Sequence, residues 1–199
     1  MEFLFVSLNE EWINEMRKLG YNNTYLGKIE DYQFQDTERI VYVSPANSLC
    51  FMDGGIDLAY TIMFPGIEAK VKKQLTDINL LGRHFLPIGK TVLTQVDSNK
   101  FVISSPTMLL PQNISETNNA YYATFAVLKM LRSVTLGRKC IVVIPSMCCG
   151  YGQMSVKNSA EQIHRAIIEE QDNELDLKRI MDEQPNYYCN SEWKNIYPK

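Results

Sequence analysis

The sequence lacks any long apolar run: no stretch approaches the roughly 20 residues needed to cross a bilayer, so no membrane-spanning helix is expected. Its first residues, Met1-Glu2-Phe3-Leu4-Phe5-Val6, have neither the basic start nor the small-residue cleavage site of a secretory leader. A surplus of positive charge is also missing. Twenty Lys and Arg face 23 Asp and Glu, a net charge of −3, which argues against gripping an extended nucleic-acid track. Histidine is scarce, limited to His84 and His164. The five cysteines are odd in number and irregularly spaced, so they form neither a disulfide framework nor a zinc site. These absences predict an intracellular protein, cytoplasmic or nuclear, with no membrane partner, no metal and no cofactor. They leave the oligomeric state open. What is present is 199 residues, 45% hydrophobic and 22% charged, enough for one domain with a full core and short for two.

Short apolar runs alternate with helical stretches, the pattern of an α/β domain. Strands are predicted at Phe3 to Leu8, Asn23 to Ile29, Arg39 to Ser44 and Lys139 to Ile144, with a hairpin formed by Thr91 to Val96 and Lys100 to Ser104. Helices are predicted at Glu10 to Leu19, near Ile56 to Phe64, over Ile67 to Leu80, over Thr117 to Thr135 and from Val156 onward. Ala120, Ala123, Val127, Met130, Leu131 and Val134 recur at helical spacing and mark a core helix. The run Ile141-Val142-Val143-Ile144 is apolar throughout, as in a strand covered on both faces of a mainly parallel sheet. Beyond Glu169 the periodicity fades, so 1–171 is read as the domain and 172–199 as a tail with Tyr187, Tyr188, Trp193 and Tyr197.

Two strands each run into a small-residue loop and then a helix: Arg39 to Ser44 into Met52-Asp53-Gly54-Gly55, and Lys139 to Ile144 into Pro145 through Gly152. In an open α/β sheet both loops reach the carboxyl edge, where ligands bind. Unpaired N–H groups at such helix starts favour an anion, above all phosphate. A P-loop is excluded, since His84 stands where Gly89-Lys90-Thr91 would need its first glycine. A dinucleotide fingerprint is excluded as well, because Gly150-Tyr151-Gly152 has no third glycine in register.

The segment Val43-Ser44-Pro45-Ala46-Asn47, followed by Met52-Asp53-Gly54-Gly55-Ile56-Asp57-Leu58-Ala59-Tyr60, resembles the signature of the macro domains, which bind ADP-ribose. Ser105-Pro106-Thr107-Met108, Pro111, Thr117-Asn118-Asn119-Ala120-Tyr121 and the loop from Pro145 to Met154 look similar to a subgroup of stand-alone macro domains. The resemblance spans roughly Arg39 to Ile168 and implies a three-layer α/β/α domain around a central mixed, mostly parallel sheet. It implies that Asn47 hydrogen-bonds the distal ribose, beside Ala46, and that Asp53, Gly54, Gly55 and Ile56 meet the ribose and diphosphate. It further implies that Ser146, Met147, Cys148, Cys149, Gly150, Tyr151 and Gly152 close over the phosphates, with Tyr151 near the distal ribose. In catalytic relatives the Asp matching Asp57 positions or activates a water that attacks the anomeric carbon. Asn offers donors and an acceptor to sugar hydroxyls without repelling a diphosphate, and Asp57 lies just inside a helix start, where the dipole favours its charge.

Two departures qualify the transfer. Many members carry Gly-Asp-Ile on an early strand, whose Asp receives the adenine amino group; here the segment reads Gly27-Lys28-Ile29, with Glu30 or Asp31 the nearest acceptors. The phosphate loop is Ser146-Met147-Cys148-Cys149-Gly150 in place of a glycine-rich run, so backbone can approach a phosphate at fewer positions. Plainer readings stand beside the functional ones: Asn47 as a turn residue, Asp57 as a helix-start carboxylate, His164 as a packing residue. Cys148 and Cys149, next to a helix start, are candidate nucleophiles without a paired base. His84 is a candidate proton carrier. The expected function is hydrolysis of an ADP-ribose derivative, ADP-ribose-1''-phosphate or ADP-ribosylated protein, with Asn47 and Asp57 as the catalytic pair; the alternative is a non-catalytic ADP-ribose reader.

Overall fold

The structure is a computed structural model in which residues 1–35, 38–78, 85–134 and 140–171 are described. The proposed tail, His84 and the last residues of the helix predicted to Leu80 lie outside them. Six strands, β1 (Glu2–Ser7), β2 (Thr24–Leu26), β3 (Arg39–Ser44), β4 (Val92–Gln95), β5 (Lys100–Ser104) and β6 (Cys140–Pro145), form one sheet in the order β2-β1-β6-β3-β5-β4. Every neighbouring pair is parallel except β4 with β5. The helices are α1 (Glu10–Lys18), α2 (Gly55–Met63), α3 (Ile67–Ile78), α4 (Asn119–Ser133) and α5 (Val156–Gln171). This is the expected three-layer α/β/α arrangement on a mixed, mostly parallel sheet.

Alternation along the strands sorts their side chains between two cores. Phe5, Val41, Val43, Val142 and Ile144 pack with residues of α1, α4 and α5 on one face. Leu4, Val6, Ile40, Tyr42 and Val143 pack on the other with Tyr60 of α2 and with Ile67, Val71 and Leu75 of α3. That is why β6 reads as continuously apolar: all six of its residues are buried. Each fully buried large apolar side chain contributes about 1.5–3 kcal/mol, so both layers are strongly held.

α1 shows the local logic clearly. Asn9 caps it, Oδ1 accepting the Trp12 N–H at 3.1 Å; Glu10 and Glu11 occupy its first turn and Arg17 and Lys18 its last, matching the dipole. It buries Trp12, Ile13 and Met16 and stops before Gly20, whose φ of +94° suits glycine. The Trp12 indole donates to Ser159 Oγ at 3.2 Å, and that hydroxyl donates to the Met147 carbonyl at 2.6 Å, linking α1 through α5 to the loop after β6.

Most elements start or stop within a residue or two of the sequence reading, and three of the differences have a visible local cause. The strand predicted to Ile29 ends at Leu26: the Gly27 N–H makes the last bond of the ladder, to the Ser7 carbonyl at 3.0 Å, and Ile29 is then buried in a short 3-10 turn, Ile29–Asp31. The helix predicted from Thr117 begins at Asn119, with the Thr117 hydroxyl accepting the Asn119 N–H at 3.4 Å. Val134 is the C-terminal cap of α4 rather than part of its apolar stripe. Among the described residues no helix is long and apolar enough to cross a membrane.

Candidate functional site

Parallel strands β1, β3, β5 and β6 all end at one edge of the sheet, and the loops that leave β3, β5 and β6 there enclose a cleft of about 410 Å³. One wall is the loop from β3 into α2. Asn47 continues the β3–β5 ladder by an isolated parallel bridge to Met108, which fixes its backbone at the cleft. Its Oδ1 accepts the Leu49 N–H at 3.0 Å, leaving Nδ2 with no partner among the described residues. The turn function and the binding function of Asn47 are therefore compatible: one end of the amide is used inside and the other faces the ligand space.

α2 begins at Gly55, whose φ is +56°, and its first backbone bond is Leu58 N–H to the Gly54 carbonyl at 3.3 Å. The N–H groups of Gly55, Ile56 and Asp57 therefore have no partner in the helix, and Gly54, Gly55, Ile56 and Asp57 all line the cleft. The opposite wall is the loop after β6. Within it Met147 N–H bonds the Pro145 carbonyl at 2.8 Å, Met154 N–H the Cys148 carbonyl at 3.0 Å, and Ile114 N–H the Gly152 carbonyl at 2.9 Å. The N–H groups of Cys148, Gly150, Tyr151 and Gly152 have no partner among the described residues. Two sets of unpaired donors thus face one cleft, an arrangement that favours an anion.

Asp57 is only 7% exposed, and Ser44 Oγ donates to its Oδ1 at 2.5 Å. Burial pushes its carboxyl up to about 7, against the Ser44 hydrogen bond that lowers it, with the nearby Asp53 charge adding to the rise. The helix dipole expected to favour its charge is worth less than about 2 kcal/mol, and desolvation outweighs it. Tyr151 is 73% exposed, and its ring lies 3.3 Å from where a Cβ on Gly54 would sit, so it spans the mouth from one wall to the other.

Of the residues singled out from the sequence, Ala46, Asn47, Asp53, Gly54, Gly55, Ile56, Asp57, Ser146, Cys148, Gly150, Tyr151 and Gly152 line this cleft together. Cys149 lines an adjoining groove. Met147 does not join them: its side chain lies in the core and both its backbone groups are bonded within the fold. Burial raises the thiols of Cys148, to about 12, and Cys149, which removes the thiolate a nucleophile needs. Cys50, Cys140, Cys148 and Cys149 are unpaired. His164 bonds the Tyr21 hydroxyl through Nδ1 at 3.0 Å, a packing role on the far side of the sheet from α2. Phe51, Thr107, Met108 and Pro111 also line the cleft without having been singled out as site residues. Ser44, which holds Asp57, was likewise missed; a lone serine closing the apolar strand Arg-Ile-Val-Tyr-Val-Ser was the available signal. Among the described residues no group of three or more His, Cys, Asp and Glu side chains could hold a metal ion.

Such a cleft, at the carboxyl edge of a mixed sheet between two donor-rich loops, lies where ligands bind in open α/β sheets. The fold is that of the macrodomains. The chain is similar to the macrodomain of Mycobacterium tuberculosis DarG, with 15% identity, 70% of this chain and 88% of that one covered and a TM-score of 0.55. It is similar to a mutant Oceanobacillus iheyensis macrodomain solved with ADPR, with 19% identity, coverages of 75% and 77% and a TM-score of 0.57. It also matches Thermosipho africanus DarTG in complex with ADP-ribose, with 14% identity, coverages of 84% and 50% and a TM-score of 0.51. No family model matches the sequence. A curated relative, an uncharacterized protein of Aeropyrum pernix, is 29% identical over 122 residues, 60% of this chain; the match spans 59% of that relative's length.

Proposed function

We propose that the protein binds ADP-ribose or a derivative and hydrolyses the bond at its distal ribose. The observation that carries the reading is the facing of two unpaired donor sets, the start of α2 and the loop from Ser146 to Gly152, across a cleft that also holds Asn47 and Asp57. The likeness in fold to macrodomains solved with ADPR and with ADP-ribose supports it. In this reading the backbone donors hold the diphosphate, which explains how a chain of net charge −3 takes a doubly charged ligand. Asn47 Nδ2 orients the distal ribose. Asp57, ionised above about pH 7 and fixed by Ser44, holds a water at the anomeric carbon. As the water oxygen bonds that carbon, its proton passes to Asp57 and the bond to the leaving oxygen breaks, the leaving group taking up a proton in turn.

Titration calorimetry with ADP-ribose tests the binding. One site per chain is expected; no heat with ADP-ribose or with related NAD-derived nucleotides overturns the reading. Asn47→Ala is expected to weaken binding by about 1–3 kcal/mol, through ribose hydroxyls left without a partner. Binding without turnover of ADP-ribose-1''-phosphate or ADP-ribosylated protein would make the protein a reader of the same ligand.

A further inference from the structure

Among the described residues no Lys, Arg or His lines the cleft, and the two charged residues that do are both carboxylates, Asp53 and Asp57. Asp53 is exposed, with neither a hydrogen bond nor an ion pair among the described residues. Lys72 lies beside Phe51 of the cleft wall, its Nζ 3.8 Å from the ring centroid, but its charge is matched by Glu68 Oε1 at 2.6 Å. Around Asn47 the wall is apolar: Phe51, Met108 and Pro111 line it, and between the last two the chain exposes Leu109 and Leu110. The Thr107 hydroxyl there donates to the Pro45 carbonyl at 3.2 Å. With the backbone donors of the α2 start and the opposing loop on the diphosphate, a further phosphate on the anomeric carbon would meet carboxylates and apolar carbon without a cation.

We propose that the group bonded to the anomeric carbon is cationic, a guanidinium such as that of an ADP-ribosylated arginine, and that Asp53 selects it over a phosphate. The inference rests on the ADP-ribose reading above and names the leaving group which that reading leaves open. A guanidinium keeps its charge at every pH the protein meets, so its attraction to a carboxylate in the same cleft persists and weakens only as salt rises. A phosphate placed there is repelled by the same carboxylate, and an alcohol-linked ADP-ribose, uncharged at that atom, falls between the two. Hydrolysis of this linkage balances with the residues in place. The water oxygen bonds the anomeric carbon, the C–N bond breaks with its electron pair on the guanidine nitrogen, and the proton that Asp57 takes from the water passes on to that guanidine.

Calorimetry at fixed low salt, in an Asp57→Asn background that lacks the hydrolytic carboxylate and so leaves the ligands intact, tests the inference. The ligands are ADP-ribose, ADP-ribose-1''-phosphate, ADP-ribosyl-guanidine, and one peptide ADP-ribosylated on arginine or on serine. Both guanidinium ligands are expected to bind about tenfold more tightly than the 1''-phosphate, with the serine peptide between; which of the two binds tighter tells a protein source from a small molecule. Adding Asp53→Asn, at an exposed position, should shrink that ratio at least threefold, and Asp53→Glu should keep it. A 1''-phosphate bound as tightly as the guanidinium ligands, or a ratio unchanged by Asp53→Asn, would overturn the leaving-group assignment while ADP-ribose binding leaves the diphosphate site standing. No binding by any ligand, ADP-ribose included, would instead overturn the site itself.

Discussion

Gly152→Ala is expected to destabilise the protein by about 2–4 kcal/mol and to weaken ADP-ribose binding at least tenfold. A Cβ on Gly152 would stand 2.5 Å from the Cys148 carbonyl oxygen and 2.8 Å from Ile114 Cγ1. Neither neighbour can yield cheaply. The Cys148 carbonyl accepts the Met154 N–H, and the Gly152 carbonyl accepts the Ile114 N–H, so a shift of either strand of the loop breaks a bond that shapes it. The donors at Cys148, Gly150 and Tyr151 ride on that shape. Gly150→Ala is the matching control, because a Cβ there meets nothing within 4 Å and φ lies outside the left-handed region. Its melting temperature should stay close to that of the wild type while Gly152→Ala falls by several degrees. Equal melting temperatures for the two variants would show that the loop accommodates the clash.

Asp57→Asn is expected to abolish turnover, by about 10²–10⁴-fold, while making the fold more stable at alkaline pH. In the folded chain burial keeps the Asp57 proton up to about pH 7, whereas an ordinary Asp releases it near 3.8. Between those values the folded state binds the extra proton. The stabilisation of the protonated form is therefore complete below about pH 4, declines as pH rises, and is lost above about 7. Asn cannot ionise and still accepts from Ser44, so the variant escapes that decline. The advantage should reach up to about 4 kcal/mol at pH 8 and vanish below pH 4, measured by urea denaturation across pH. Activity should run the opposite way in the wild type, rising with pH through about 7 as the carboxylate forms. A flat stability difference across pH would mean that Asp57 releases its proton in the fold at the same pH as in the unfolded chain.

Much of this arrangement was legible in the residues. The β-branched run from Arg39 to Ser44 becomes β3 with those same limits, and Gly54-Gly55 opens α2 one residue before the predicted start. Punctuation by glycine and proline and the alternation of apolar runs suffice for that much. Less was legible where a side chain's surroundings come from distant segments. Helical position predicts a favoured charge on Asp57, but its burial comes from the fold around it, and its partner Ser44 lies 13 residues earlier. Met147 sits in a loop of small and polar residues, yet it points into the core because α5 and α1 reach it from behind.

The relay from Trp12 through Ser159 to the Met147 carbonyl has a kinetic consequence. It anchors the donor-bearing loop to two helices, so the loop's entropy is lost during folding rather than at the encounter with ligand. Association should therefore be a single concentration-dependent phase with no slower closing step, and a loosened anchor such as Trp12→Phe should show its effect mainly in how fast the ligand leaves.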